Sequence, residues 1–231
     1  MGILSKKISS IILAFTMIIG ISTGLIINMP MTAQASNAPS VYISGDSFIG
    51  TDGNEMSAAK AKQWSYEISD DGKSIRLERY KGTFSSDGYI NSSVPSTING
   101  LPVTSMEYCF YQCEGLVVGP DIPDTVTLMH YTFFGSGLVE PPIIPNGVTD
   151  LNYTFGYCYK LVNPPLIPDS VTRMDDTFSE CKNLTIAPVL PSKLYNMSFT
   201  FAHCYKLKAA PEIPSGVAYL MGTFWGCDNI K

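Results

Sequence analysis

The sequence predicts an α/β repeat solenoid with an N-terminal β cap, and three observations predict it. Phenylalanine recurs at Phe110, Phe133, Phe155, Phe178, Phe201 and Phe224, a period of 22 or 23 residues. Other columns keep step: Met106, Met129, Leu151, Met174, Met197 and Leu220 stand four residues before each phenylalanine, and Cys113, Cys158, Cys181, Cys204 and Cys227 stand three after most of them. Val103, Val126, Val148, Val171, Leu194 and Val217 form a further column ahead of these. A fixed period in the twenties means one coil per unit, each burying its apolar columns only by stacking on its neighbours.

The elements follow in chain order. Lys6 and Lys7 precede the apolar run "IILAFTMIIGISTGLIINM", and "TAQA" follows, which is the pattern of a secretory signal peptide over residues 1–35 cleaved after Ala35. A run of about 19 residues could also just span a bilayer as an uncleaved anchor. Both readings give a secreted or extracellular cell-surface location. Residues 36–63, rich in Ser, Ala, Gly and Asp and without period, read as a flexible tail or linker. Over residues 64–100, "YEIS" and "SIRLERY" alternate as paired strands about an Asp71-Gly72 turn and form the N-terminal β cap.

Residues 101–231 hold six repeats, the second of which is one residue short and has Ser136 in place of the cysteine. Val171-Thr172-Arg173-Met174 suits a short parallel strand. Met174, Phe178, Cys181 and Leu184, spaced +4, +3, +3, predict a helical turn. Pro188, Pro191 and their equivalents would remove ladder donors from a strand, so the rest of each coil is expected to be an extended return. The sequence reaches Lys231 within a repeat, so the last coil is expected either to cap itself or to be followed by more chain.

Charge and chemistry narrow the function classes. The formal net charge is −5, or −7 without Lys6 and Lys7, which argues against nucleic acid or an anionic membrane as partner. A cysteine column in a solenoid puts thiols near disulfide distance but with parallel Cβ vectors, so buried free thiols are expected. Cys109 and Cys113 have the spacing of a metal-ligand pair, yet no second Cys/His pair accompanies them. His203-Cys204 fails as a catalytic dyad because Cys204 belongs to the inward column. The sequence therefore nominates no catalytic residue, no metal ligand and no small-molecule cofactor.

The variable columns are where a ligand would be met. Two residues after the Met/Leu column stand Tyr108, Tyr131, Tyr153, Asp176, Phe199 and Gly222. Tyr108, Tyr131, Tyr153 and Phe199 are the candidate ligand-binding residues, suited if exposed to stacking on a sugar or gripping a peptide. If half-buried, they pack the outer layer instead.

The repeats, together with "WSYEISDDGKSIRLERYKG" and "VPSTINGLPVTSM" ahead of them, resemble the BspA-like bacterial leucine-rich repeats over about Trp64 to Lys231. The resemblance implies a leucine-rich-repeat-like right-handed coil with short parallel strands. It also implies a non-enzymatic surface protein whose solenoid face binds a host or bacterial surface protein or a glycan. The alternative is a structural spacer in a larger surface protein whose functional module lies beyond residue 231. The family's usual strand lies on a Leu-x-x-Ile-x-Ile-Pro segment. Pro120, Pro188 and Pro211 interrupt that segment here, which moves the expected strand to Val-Thr-x-Met.

Overall fold

A computed structural model of the chain describes residues 45–231, and before them the strands β1 (Phe15–Gly20), β2 (Ile26–Met31) and β3 (Ser40–Val41). The chain divides into two units, Met1–Ala38 and Pro39–Lys231. In the first, β1 and β2 pair antiparallel, with Phe15 opposite Met31. The expected cleavage point after Ala35 lies outside the described residues. Among those described, no helix is long and apolar enough to cross a membrane.

The second unit begins with a sheet of six strands. After β3 come β4 (Phe48–Gly50), the short helix α1 (Ala58–Ala61), β5 (Trp64–Ile68), β6 (Ile75–Tyr80), β7 (Pro95–Ile98) and β8 (Leu101–Ser105). The strand order is β3-β5-β6-β8-β7-β4, with β6 and β8 parallel and the other neighbours antiparallel. The chain between β5 and β6 turns at Gly72, which has a φ of 70° and donates to the Ser69 carbonyl. Glycine carries no Cβ penalty in that left-handed region.

From residue 45 onward, the flexible tail expected over residues 36–63 is not what forms. Phe48, Met56 and Ala61 are buried in the core, and β4 pairs with β7 through Phe48 opposite Ile98. Those three apolar residues are too widely spaced for a local period, and the strand that pairs with Phe48 lies about fifty residues later. Burial there is a tertiary event that local pattern does not carry.

β8 is both the inner strand of the cap and the first rung of the repeats. From Ser105 the parallel bridges run to Leu128, Asp150, Arg173, Asn196 and Tyr219, always the residue before the Met/Leu column. This is the Val-Thr-x-Met segment. On the proline return, the described residues show one equivalent bridge, Val118 to Glu140. Proline cannot donate, and the ladder lies where proline is absent.

The segment after the Met column is not a helical turn but a chain of overlapping β-turns. In the fourth coil the amides of Thr177, Ser179, Cys181 and Leu184 each donate to the carbonyl three residues back. Between them, the amides of Met174, Asp176, Phe178 and Glu180 point out of the coil and donate to Asn196, Ser198, Thr200 and Ala202 of the next. An α-helix would keep every amide inside its own coil. Turns that close on the third residue produce the same +4, +3, +3 apolar spacing, so periodicity alone does not separate the two.

This turn geometry explains why Thr-Phe-x-x-Cys is rewritten in coil after coil. Phe110, Phe133, Phe155, Phe178, Phe201 and Phe224 stack in one column, with adjacent ring centroids 5.5 to 5.7 Å apart and planes within 10°. The threonine one residue earlier donates its hydroxyl to the Met/Leu carbonyl of the preceding coil: Thr154 to Met129, Thr177 to Leu151, Thr200 to Met174. The cysteine donates its thiol to the preceding phenylalanine carbonyl: Cys158 to Phe133, Cys181 to Phe155, Cys204 to Phe178. These threonine and cysteine donors are thereby satisfied, and each coil is fastened to the one before.

The cap closes the N-terminal end of this column. Trp64 lies edge-on to Phe110 at 5.9 Å, Tyr80 packs on Phe110 at 5.7 Å, and the Tyr80 amide donates to the Cys109 carbonyl. At the other end Phe224 is only half-buried, and Leu220 and Trp225 are exposed.

Candidate binding surface

The turn chain fixes where each candidate residue sits. Tyr108, Tyr131, Tyr153, Asp176 and Phe199 all have φ between 51° and 60°, and Gly222 at the same place has 61°. A positive φ at the third position of a turn favours Gly or Asn. For a bulky residue it is a strained choice. The chain nevertheless puts aromatic rings there in four of six coils.

Those rings stack on one another. Tyr108 and Tyr131 are 4.9 Å apart with planes at 7°, and Tyr131 and Tyr153 are 4.5 Å apart with planes at 4°. Tyr108 is 37 % exposed, and Tyr131, Tyr153 and Phe199 are half-buried. The faces that Tyr108, Tyr131 and Tyr153 turn toward one another are therefore spent inside the ladder. Phe199 stands apart, beyond Asp176, with its ring lying over Gly222, where a Cβ would meet it at 2.3 Å. The structure brings three of the four candidates together and leaves Phe199 separate.

Asp176 ends the tyrosine ladder. Burial raises its carboxyl to about 6, against the opposing hydrogen bonds from Tyr153 and Ser179. Burial also pushes the Tyr131 and Tyr153 phenols well above their ordinary value, so both hydroxyls stay protonated, with Tyr131 bonded to Tyr153 and Tyr153 to Asp176.

Beside the ladder runs a row of charges that sequence reasoning did not single out. His130 lies 3.1 Å from Asp150 and 3.4 Å from Glu107, and these carboxylates raise its pKa to about 9, so it is an imidazolium at neutral pH. Arg173 approaches Asp150 at 3.7 Å and Asp175 at 3.5 Å. His130 stands in a variable column of the repeats, 23 residues after Glu107. Its position one coil from Glu107 and from Asp150 was the signal, because equivalent columns in successive coils lie about 5 Å apart.

The remaining chemistry is confined. All six cysteines are free thiols; Cys109, Cys158, Cys181 and Cys204 are buried, while Cys113 and Cys227, in the first and last coils, are only half-buried. Burial raises the Cys158 thiol to about 12 and the Cys204 thiol further, which suppresses the thiolate a nucleophile needs. The His203 ring packs against Trp225 and Tyr205, while the Cys204 thiol donates to Phe178. Among the described residues no group of three or more His, Cys, Asp or Glu side chains could hold a metal ion.

No family model matches the sequence, and no curated protein matches it significantly. Solved structures do. A leucine-rich repeat protein from T. pallidum aligns at a TM-score of 0.56 and 24 % identity, over 74 % of this chain and 89 % of that one. The chain has the leucine-rich-repeat fold. A leucine-rich cell surface protein from Faecalibacterium prausnitzii aligns at a TM-score of 0.52 and 19 % identity, over 85 % of this leucine-rich-repeat chain and 55 % of that one. A leucine-rich repeat protein from Bacteroides ovatus aligns at 0.41 and 17 %, over 68 % of this chain and 54 % of that one. The chain thus spans about half the length of the latter two.

Proposed function

We propose that this chain is a non-enzymatic, secreted or surface-displayed repeat protein of the BspA-like kind, which binds a surface protein through the tyrosine-lined side of its solenoid. The observation that carries this reading is the ladder of Tyr108, Tyr131 and Tyr153, held at backbone positions where such side chains are strained. Strain of this kind persists where the surroundings over-determine it, and it concentrates at functional sites. The ladder sets its stacked phenols in a line, next to the charged row of Glu107, His130, Asp150 and Arg173. Aligned hydroxyls and alternating charge suit the edge of a protein partner. A sugar ring would need an open aromatic face, and the stack closes those faces. The cell-surface description of the F. prausnitzii protein supports the location.

A second reading, a structural spacer in a longer surface protein, is favoured by the last coil. There Ile213, Leu220, Phe224 and Trp225 line an open apolar concavity. The test is a panel of purified surface and matrix proteins, together with a glycan array, probed with the compact unit Pro39–Lys231. Capture that is weakened by Tyr108→Phe plus Tyr131→Phe supports binding through the ladder. Absence of any partner across the panel supports the spacer.

A further inference from the structure

The residue after the proline column Pro120, Pro142, Pro165, Pro188 and Pro211 is exposed in every return, and it reads Asp121, Ile143, Leu166, Val189 and Glu212. Ile143, Leu166 and Val189 are 88 %, 90 % and 88 % exposed. A lone exposed leucine needs no explanation, but three aliphatic side chains almost wholly in solvent in successive coils form a strip. Their coils have a described coil on either side, and the returns are joined rung to rung: the Val139 amide donates to Val117 and the Thr185 amide to Val162. Val139, Val162 and Ile186 are exposed on the same returns.

The charge beside the strip has one sign at its N-terminal end. In the first three returns, residues 117–125, 139–147 and 162–170, every charged side chain is acidic: Asp121, Asp124, Glu140 and Asp169. Asp121 and Asp124, with Asp52 from the cap, line a concavity of about 340 Å3 that has no basic side chain in its wall. Among the described residues neither Asp121 nor Asp124 forms an ion pair.

We infer that this strip docks an amphipathic helix of another protein, apolar along one side and carrying Lys or Arg beyond one end to meet Asp52, Asp121 and Asp124. The coil repeat selects a helix. Adjacent coils are 5.5 to 5.7 Å apart at the phenylalanine column, and an α-helix advances about 5.4 Å per turn. A helix lying along the solenoid axis thus offers one side chain, at i, i+4 and i+7, to each of Val189, Leu166 and Ile143. In an extended strand the side chains of one face recur about every 6.6 Å and fall out of step with the coils. A second copy of this chain fits poorly. A twofold axis through Leu166 would set Asp121 of each copy against Glu212 of the other, acid on acid. The strip lies on the proline return, away from the tyrosine ladder, and does not depend on it.

The test is selection from a displayed library of random peptides of about 14 residues, long enough as a helix to reach from Val189 to Asp121. The target is the compact unit Pro39–Lys231, and the enriched peptide is then titrated by fluorescence anisotropy. Enriched sequences should carry apolar residues at i, i+4 and i+7 and Lys or Arg at one end. Leu166→Ser plus Val189→Ser should weaken the selected peptide about tenfold or more. Asp121→Asn plus Asp124→Asn should weaken it about threefold or more and reduce its salt dependence. All four side chains are exposed, and thermal melts check that both double variants fold. Tyr108→Phe plus Tyr131→Phe should leave peptide binding unchanged, which separates the strip from the ladder. No enrichment, apolar residues at every second position, acidic ends, or a peptide indifferent to Leu166→Ser plus Val189→Ser would overturn the inference. So would a dimer in light scattering that the same variant dissociates, because a second copy would then cover the strip.

Discussion

Asp176→Asn is expected to stabilise this protein, and to do so only above about pH 5. Asp176 is half-buried at the end of the tyrosine ladder, and burial raises its carboxyl from 3.8 to about 6. The folded state thus holds the proton more tightly than the unfolded chain. The resulting stabilisation is full below about pH 4 and is lost as pH rises through about 6. At neutral pH the native state therefore carries the cost of an ionised, partly desolvated carboxylate. A gap of about two units at about 1.4 kcal/mol each gives roughly 3 kcal/mol, and solvent screening at this partly exposed site reduces it to about 1–2 kcal/mol. Asparagine has no charge to desolvate and can still accept from the Tyr153 hydroxyl. It also tolerates the left-handed φ of 51° found here. Urea unfolding of the two proteins at pH 4, 5.5 and 7.5 should show a difference that grows with pH. An equal gain at pH 4 and 7.5 would mean that only backbone preference had changed. A loss at pH 7.5 would refute the reasoning, because the ionised carboxylate would then be a net stabiliser.

Three further outcomes follow from the interior columns. Phe178→Ala, which removes a fully buried ring stacked between Phe155 and Phe201, should cost about 3–5 kcal/mol in denaturant melts; Phe224→Ala, at the half-buried end, should cost clearly less. Thr177→Val should cost about 1 kcal/mol and Thr177→Ser less: the valine removes the bond to the Leu151 carbonyl, which still accepts from the Thr154 amide. A thiol reagent added to the native protein should reach Cys113 and Cys227 first and leave Cys158, Cys181 and Cys204 unlabelled until denaturation, as read by mass spectrometry.

Much of the architecture is legible in the sequence because stacking makes every coil solve the same problem. The phenylalanine column announces the solenoid, and the prolines place the ladder on Val-Thr-x-Met. The conformation of the turn chain was not legible, since +4, +3, +3 spacing belongs equally to a helical turn and to turns closing on the third residue. A signal existed in Gly135, Gly222 and Gly226, which stand in the columns of Gln112, Tyr108 and Tyr157 and share their positive φ. The cysteine column reads as small and apolar, yet its thiols also donate to carbonyls, a role that only the geometry of adjacent coils creates. The tyrosine column was visible as a column. That its faces are consumed by stacking depends on side-chain rotamers, which period does not specify. Phe48 joins the core through a strand partner far along the chain, beyond the reach of any local pattern.

Ligand capture by the Tyr108→Phe plus Tyr131→Phe variant tests most directly whether the tyrosine-lined side is the working face. Phenylalanine keeps the stacking at 4.9 and 4.5 Å but deletes two of the aligned hydroxyls. The melting temperature should therefore stay within a few degrees of the parent, while affinity for the captured protein falls tenfold or more. Unchanged affinity would contradict this, most sharply if Leu166→Ser plus Val189→Ser abolished capture. Those two side chains are 90 % and 88 % exposed on the proline return, and such a loss would move the binding surface to that side of the coil.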